Sequence, residues 1–269
     1  MQTEENPGGP DGRITLAVDG AIWLIGIDRP AKYNGFTPKM LREYSEIITR
    51  YDADDSAFCA VVYAEGPHFT AGLDLPKLAE VWARGESPYP EDCLDMWNLR
   101  PPYRRKPLIM AVKGICYTVG VELMLSADIV VAADNCRFTQ LEVKRGIMAA
   151  GGATIRMVER SGWGNAMRYL LTGDEWNAEQ ALRMNMVQEV VPAGQELDVA
   201  KRIAQTIVTN AAPLAVRATI ANARTALDEG PEAAAAQFDR IRLELRATED
   251  AAEGVASFRE KRPPVFKGR

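Results

Sequence analysis

The sequence predicts an α/β fold of repeated ββα-like turns, followed by a helical C-terminal region. Three observations carry this reading. Short apolar runs rich in Val, Ile and Ala alternate at close intervals with stretches of helical periodicity. The runs at 58–66 and 129–134 have the composition of buried strands. Beyond about residue 195 the strand-like runs cease and an Ala-rich helical pattern takes over.

Each element has its own signal. ITLAVDG and AIWLIGID (14–20 and 21–28) are strands broken at Asp19-Gly20, a hairpin signature. Thr37 then serves as an N-cap with Pro38 at the first helical position. That helix runs to about Tyr51, with Met40, Leu41, Tyr44, Ile47 and Ile48 on one face. FCAVVYAEG (58–66) is a strand, and FTAGLDLPKLAEVWA passes through small residues into a helix. RGESPYPED (84–92) reads as a loop, and CLDMWNLR as a further short helix. LIMAVKG (108–114) and IVVAAD (129–134) are strands flanking a helix around ELMLSAD. Helices follow near Ala153–Arg160, across Ala166–Leu171, and from an Asn177 cap to about Met186. VQEVVP (187–192) is the last strand before helices from Leu197 and a basic tail, REKRPPVFKGR.

The domain reading has three parts: a Gly/Pro-rich polar lead over 1–12, expected to be disordered, a mixed core over 13–195, and a helical region over 196–269. The lead lacks the basic-then-apolar layout of a signal peptide, and no apolar run reaches the roughly 18–20 residues of a membrane span. A cytoplasmic protein is expected. A formal charge of −5 argues against nucleic acid as the main partner. The four cysteines (Cys59, Cys93, Cys116, Cys136) are scattered, without a CxxC pair, and read as reduced thiols. The single histidine, His68, makes Ser-His-Asp and multi-His metal chemistry unpromising, so acid–base work falls to carboxylates.

Three features carry chemistry. GPHFTAGLDL (66–75) leads through small residues into a helix, and the free N–H groups there can hold an anion or a developing oxyanion. Many α/β turns share that layout without such a role. VGVELML (119–125) has a similar form, with Gly120 before an apolar helix bearing Glu122; close helix packing explains Gly120 equally well. Glu122 itself is either a structural ion pair, a side chain reaching for solvent, or a carboxyl held dry for proton transfer. RFTQLEVKRGIMAAGG (137–152) places Glu142 in a loop or short helix beside Lys144 and Arg145, a setting that by itself is usual for a solvated surface acid.

In this order and spacing, the chain resembles the crotonase superfamily, the enoyl-CoA hydratase/isomerase family, over nearly its whole length. The landmarks are IDRPAKYNGF (27–36), FTAGLDL (69–75), KPLIMAVKG (106–114), GVELMLSADIVVAAD (120–134), FTQLEVKRGI (138–147), GGATIRM (151–157), LLTGDEWNAEQALRMNMVQEVVP (170–192) and FREKRPPVFKG (258–268). The resemblance implies a crotonase-type spiral of ββα turns with a C-terminal helical oligomerisation region, giving trimers that often pair as hexamers. It implies an acyl-CoA thioester substrate, with no cofactor or metal beyond the CoA that the substrate carries. Backbone N–H groups of Leu73 and Val119 fall at the oxyanion-hole positions. Ala31, Lys32, Ala71, Gly72, Asp74, Leu75 and Gly120 match the substrate- and CoA-binding positions, and Phe258 and Lys261 match a tail that often reaches a neighbouring subunit. Glu122 and Glu142 match both catalytic carboxylates of the hydratase branch, Glu142 as the acid for Cα and Glu122 as the group that activates water. The resemblance thus implies a lyase that hydrates enoyl-CoA thioesters. An enoyl-CoA isomerase, a β-diketone C–C hydrolase and a non-catalytic acyl-CoA-binding protein are the alternatives on the same scaffold.

The sequence also departs from the family pattern. Tyr117-Thr118-Val119-Gly120 replaces a glycine run, so the stiff Val119 is expected either to crowd the thioester or to alter the local backbone. Leu141 stands where Pro is usual, and Met148-Ala149-Ala150 where a Pro-Gly segment is common. The segment 84–97 is expected to line the acyl pocket and set substrate choice.

Overall fold

The computed structural model describes residues 9–269. The hairpin forms as β1 (Arg13–Asp19) and β2 (Ile22–Asp28), followed by α1 (Pro38–Ala53), β3 (Cys59–Ala64) and α2 (Leu75–Ala83). Next come β4 (Leu108–Val112), β5 (Ile115–Tyr117), α3 (Val119–Ser126), β6 (Ile129–Ala133) and β7 (Arg137–Thr139). A 3-10 turn at Glu142–Arg145 precedes α4 (Ala153–Ser161), α5 (Trp163–Leu170), β8 (Trp176–Asn177), α6 (Ala178–Arg183) and β9 (Glu189–Val191). The chain closes with α7 (Glu196–Asn210), α8 (Pro213–Asp228), α9 (Pro231–Ala236), α10 (Phe238–Arg246) and α11 (Glu249–Glu260).

The main sheet has the order β1-β2-β3-β4-β6-β9, with β1 antiparallel to β2 and every later pair parallel. A second sheet, β5-β7-β8, begins where β5 follows directly from β4. Alternate residues of a strand face opposite sides. Ala60, Val62, Leu108, Met110 and Val112 therefore enter the main core with Phe36, Tyr44 and Phe138. Cys59, Val61, Ile109 and Ala111 point the other way, onto Val199, Ala200 and Ala204 of α7. Both faces are covered, which explains why these strands read as continuous apolar runs. Although α7 lies beyond residue 195, it closes the second face of the main sheet.

The caps follow the sequence. Thr37 Oγ1 accepts the Met40 amide at 3.2 Å, and Asn177 with Gln180 forms a capping box on α6. Three readings differ from the structure. Residues 93–100 do not form a helix: Asp95 accepts the amides of Trp97 (3.2 Å) and Leu99 (3.0 Å), and Asn98 takes φ 52, in the left-handed region. The short strands β5, β7 and β8 fall where the sequence shows no clear alternation. Of the expected disordered lead, residues 1–8 lie outside the described residues, but Gly9–Asp11 form a 3-10 turn. Thr37 Oγ1 donates to the Asp11 carbonyl and Lys39 Nζ to that of Gly12, each at 2.8 Å. Among the described residues, no helix is long and apolar enough to cross a membrane.

One buried cation ties the centre of the fold together. Arg104, only 3% exposed, donates to the carbonyls of Lys106 and of Ser126 (3.1 Å) and pairs with Asp128 at 2.8 Å. Asp128 Oδ2 in turn accepts the Leu108 amide at 2.7 Å. The start of β4, the end of α3 and the start of β6 are thereby fixed together. Arg104→Met is expected to lower unfolding free energy by about 2–4 kcal/mol, because two buried carbonyls and a half-solvated carboxylate lose their donor. Urea unfolding with an unchanged m-value measures it.

Candidate active site

Leu73, Val119, Glu122 and Glu142 line one cavity of about 540 Å³. The pairing of small segments brings them there. Thr70 bridges to Cys116, with the Thr70 amide on the Ile115 carbonyl and the Tyr117 amide on the Thr70 carbonyl, both at 3.0 Å. The two turns that follow, 71–73 and 118–120, then lie side by side. A Cβ on Gly72 would stand 2.4 Å from Thr118 Oγ1, and one on Gly120 would stand 2.6 Å from Thr70 Cγ2. Both positions need glycine for this close approach.

The Phe36 amide bonds to the Gly72 carbonyl and the Asp74 amide to the Phe36 carbonyl, so the Leu73 amide is skipped. Val119 is the first residue of α3, where an amide has no partner within the helix. Among the described residues neither N–H has an acceptor. Two such donors on one cavity wall suit an oxyanion. As for the two outcomes expected of Val119, its side chain is 2% exposed and packs in the core, while the backbone change falls one residue earlier. Thr118 adopts φ 47, ψ −109, a conformation natural to glycine and strained for a β-branched residue.

Glu122 is neither ion-paired nor turned to solvent. It is 5% exposed, and its Oε1 accepts the Gly151 amide at 2.6 Å and the Ala153 amide at 3.4 Å. Ala153 opens α4, so the carboxyl sits at the positive end of that helix. The arrangement is reciprocal: Arg160, near the end of α4, donates to the Leu125 and Ala127 carbonyls that end α3 (2.9 and 3.0 Å). Each helix thus carries the charge that complements its neighbour's dipole.

Burial, reinforced by the charge of Glu142, pushes the Glu122 carboxyl up to about 7, against the opposing pull of the two amides and Arg156. Burial also raises Glu142 above the usual carboxylate range. The Gln140 amide, turned nitrogen inward, donates to both Glu142 oxygens at 3.1 and 3.2 Å. Because the charge of Glu142 raises Glu122, the two carboxyls titrate as a coupled pair.

The other named residues separate into groups. Ala31, Lys32, Ala71 and Leu75 are exposed, and the Ala71 amide bonds to the Tyr33 carbonyl at 2.9 Å, which joins the two loops into one rim. Asp74 caps α2 through the Lys77 amide and pairs with the buried Arg29 at 2.9 Å, a structural duty the sequence did not reveal. Phe258 (85% exposed) and Lys261 are not among the cavity's lining residues within this chain. His68 accepts the Ile115 amide through Nδ1 and stacks on Tyr33, so its imidazole is spent on holding a turn. Segment 84–97 does line the cavity, through Ser87, Tyr89, Cys93, Met96 and Trp97 among others. Trp97, Gln140 and Gly151 were not singled out beforehand; the only sequence signal was the Gly151-Gly152 pair preceding a helix.

A family model described as enoyl-CoA hydratase/isomerase matches residues 18–269. The chain belongs to the enoyl-CoA hydratase/isomerase family. It is 32% identical over 250 residues to 2,3-dehydroadipyl-CoA hydratase of Escherichia coli (strain K12), covering 92% of this chain and 96% of the relative. It is 33% identical over 274 residues to an enoyl-CoA hydratase of Mycobacterium tuberculosis, over the full length of both. A crystal structure described as a probable enoyl-CoA hydratase/isomerase from Mycobacterium abscessus superposes with a TM-score of 0.92 at 45% identity, covering 95% of this chain and 98% of that one. The fold is therefore the crotonase-type spiral with its C-terminal helices, and the chain is an enzyme of this family.

The raised Glu122 pKa has a consequence for stability. Its folded-state value lies above its unfolded one, so the native protein binds the proton more tightly, and stability falls as pH rises from about 4.5 through about 7. Glu122→Gln should melt close to wild type at pH 4.5 and be the more stable protein at pH 8, by roughly 1–3 kcal/mol. Paired thermal melts at the two pH values measure it.

Proposed function

We propose that the protein is an enoyl-CoA hydratase-like lyase that adds water across the α,β double bond of an enoyl-CoA thioester. The observation that carries this is the convergence of two raised carboxyls and two unpaired backbone donors on one cavity. Hydration needs a base to take a proton from water as its oxygen bonds to Cβ, and an acid to protonate Cα. Between these events charge gathers on the thioester oxygen, where Leu73 and Val119 N–H would receive it. The two curated relatives reported above are hydratases by name, which supports the same reaction class.

In this reading Glu122 activates water and Glu142 supplies the Cα proton. That division requires Glu122 to be ionised and Glu142 protonated when substrate is bound. The pair acts as one titrating unit. Retention of two carboxyls, rather than one, favours hydration over double-bond migration.

The CoA moiety would lie along the rim formed by Ala31, Lys32, Ala71 and Leu75. A homotrimer or a dimer of trimers is part of the same proposal. It is supported by the apolar side chains left exposed on α8, α10 and α11: Leu227, Phe238, Leu243, Val255 and Phe258 are each more than half exposed.

Crotonyl-CoA and longer enoyl-CoA thioesters should lose their conjugated absorbance on adding enzyme, with a 3-hydroxyacyl-CoA as product. Glu142→Gln and Glu122→Gln should each reduce kcat by roughly 10²- to 10⁴-fold. Full activity in either variant removes that residue from the mechanism. Tight CoA-thioester binding without turnover on any chain length would instead mark a non-catalytic binding protein.

A further inference from the structure

Trp97, a half-buried residue lining the cavity, carries a buried polar atom that the proposed mechanism leaves unused. Its indole Nε1 is fully buried and has no hydrogen-bond partner, an arrangement that costs free energy unless something claims the donor. The side chain is held firmly. Asp95 fixes the Trp97 and Leu99 amides, Arg156 donates to the Asn98 carbonyl at 2.9 Å, and the Tyr89 ring meets the indole edge-on at 4.8 Å.

An acceptor lies close to this N–H. A Cβ on Gly151 would stand 2.4 Å from Glu122 Oε2 and 2.5 Å from Trp97 Nε1, which puts the two atoms within the span of one bridging water. Glu122 Oε1 is occupied by the Gly151 and Ala153 amides, so Oε2 is the oxygen left to accept from a further donor. An indole N–H can only donate. It therefore favours a carboxylate acceptor over a protonated acid.

We propose that Trp97 is a positioning residue that acts through Glu122. Its indole N–H donates to Glu122 Oε2 through one water and holds Glu122 as the anion that activates water. The proposal rests on the hydratase reading and deepens it. It supplies a donor that favours the ionised form of Glu122, the form a base requires. The other groups facing Glu122 set the background. Glu142, from the 3-10 turn, opposes ionisation, and Arg156, from α4, favours it. Tyr89, from the 84–97 segment, is pushed up to about 12 by burial and by the charge of Glu122, so it stays neutral near pH 7. Arg156 stays charged there, since burial lowers it only to about 10.

The test compares Trp97→Phe, which keeps an aromatic ring and removes the donor, with wild type. The Glu122 titration is read first in the free enzyme, from the protonated-carboxyl infrared band that Glu122→Gln abolishes. The midpoint should rise by about one pH unit in Trp97→Phe. With enoyl-CoA, kcat should fall about five- to tenfold at pH 7 and recover towards pH 9, with KM little changed. If Trp97→Phe proves unstable, benzothienylalanine at position 97, which has the indole's shape but no N–H, should give the same shift. An unmoved midpoint, an equal loss of kcat at all pH values, or a change confined to KM would each overturn the proposal. Because the midpoint is read without substrate, an enzyme that hydrates no enoyl-CoA would sink the hydratase reading and leave this result standing.

Discussion

The site depends on one contact, the Glu122 carboxyl set on the first amides of α4. A carboxylate moved out of water without partners would cost several kcal/mol or simply take up a proton. The helix terminus supplies part of what water would have given, but not all of it. Glu122 is therefore left near the neutral range, where a proton can leave or arrive with little change in free energy. Close approach of Gly151 follows from the same contact, because a side chain there would strike both Glu122 and Trp97.

This contact is one half of a mutual arrangement. α3 presents an acid to the beginning of α4, and α4 presents Arg160 to the end of α3. Arg104 holds the same end of α3 through the Ser126 carbonyl. The helix carrying Glu122 is thus pinned at its C-terminal end by two guanidinium groups, and its N-terminal amide remains open to the cavity. Rigidity in the supporting elements and unsatisfied groups at the cavity wall are two aspects of one design. The strained backbone of Thr118 lies at the junction between them.

The two parallel-sheet faces and the amphipathic α1 were legible because their signals are local. A strand buried on both sides must be apolar throughout, and a surface helix must repeat its apolar positions every three or four residues. The segment 93–100 was misread as helical for the same reason. Its pattern permits a helix, but the Asp95 side chain claims the amides of Trp97 and Leu99, and Asn98 turns left-handed. Such side-chain competition depends on conformation rather than on periodicity.

By itself the sequence determined the α/β class, the hairpin, the caps at Thr37 and Asn177, and, through family resemblance, the carboxyl pair and the two backbone donors. It left open whether Glu122 was an ion pair, a solvated acid or a dry one. Only the tertiary structure decided that, because the answer lies in Gly151 and Ala153, some thirty residues away along the chain. It also decided that Asp74 is spent on Arg29 and α2, and that the unpartnered Trp97 Nε1 lies close to Glu122 Oε2 across Gly151. Residue type limits what a group can donate or accept; burial and the neighbours brought from distant segments decide which of those options is realised.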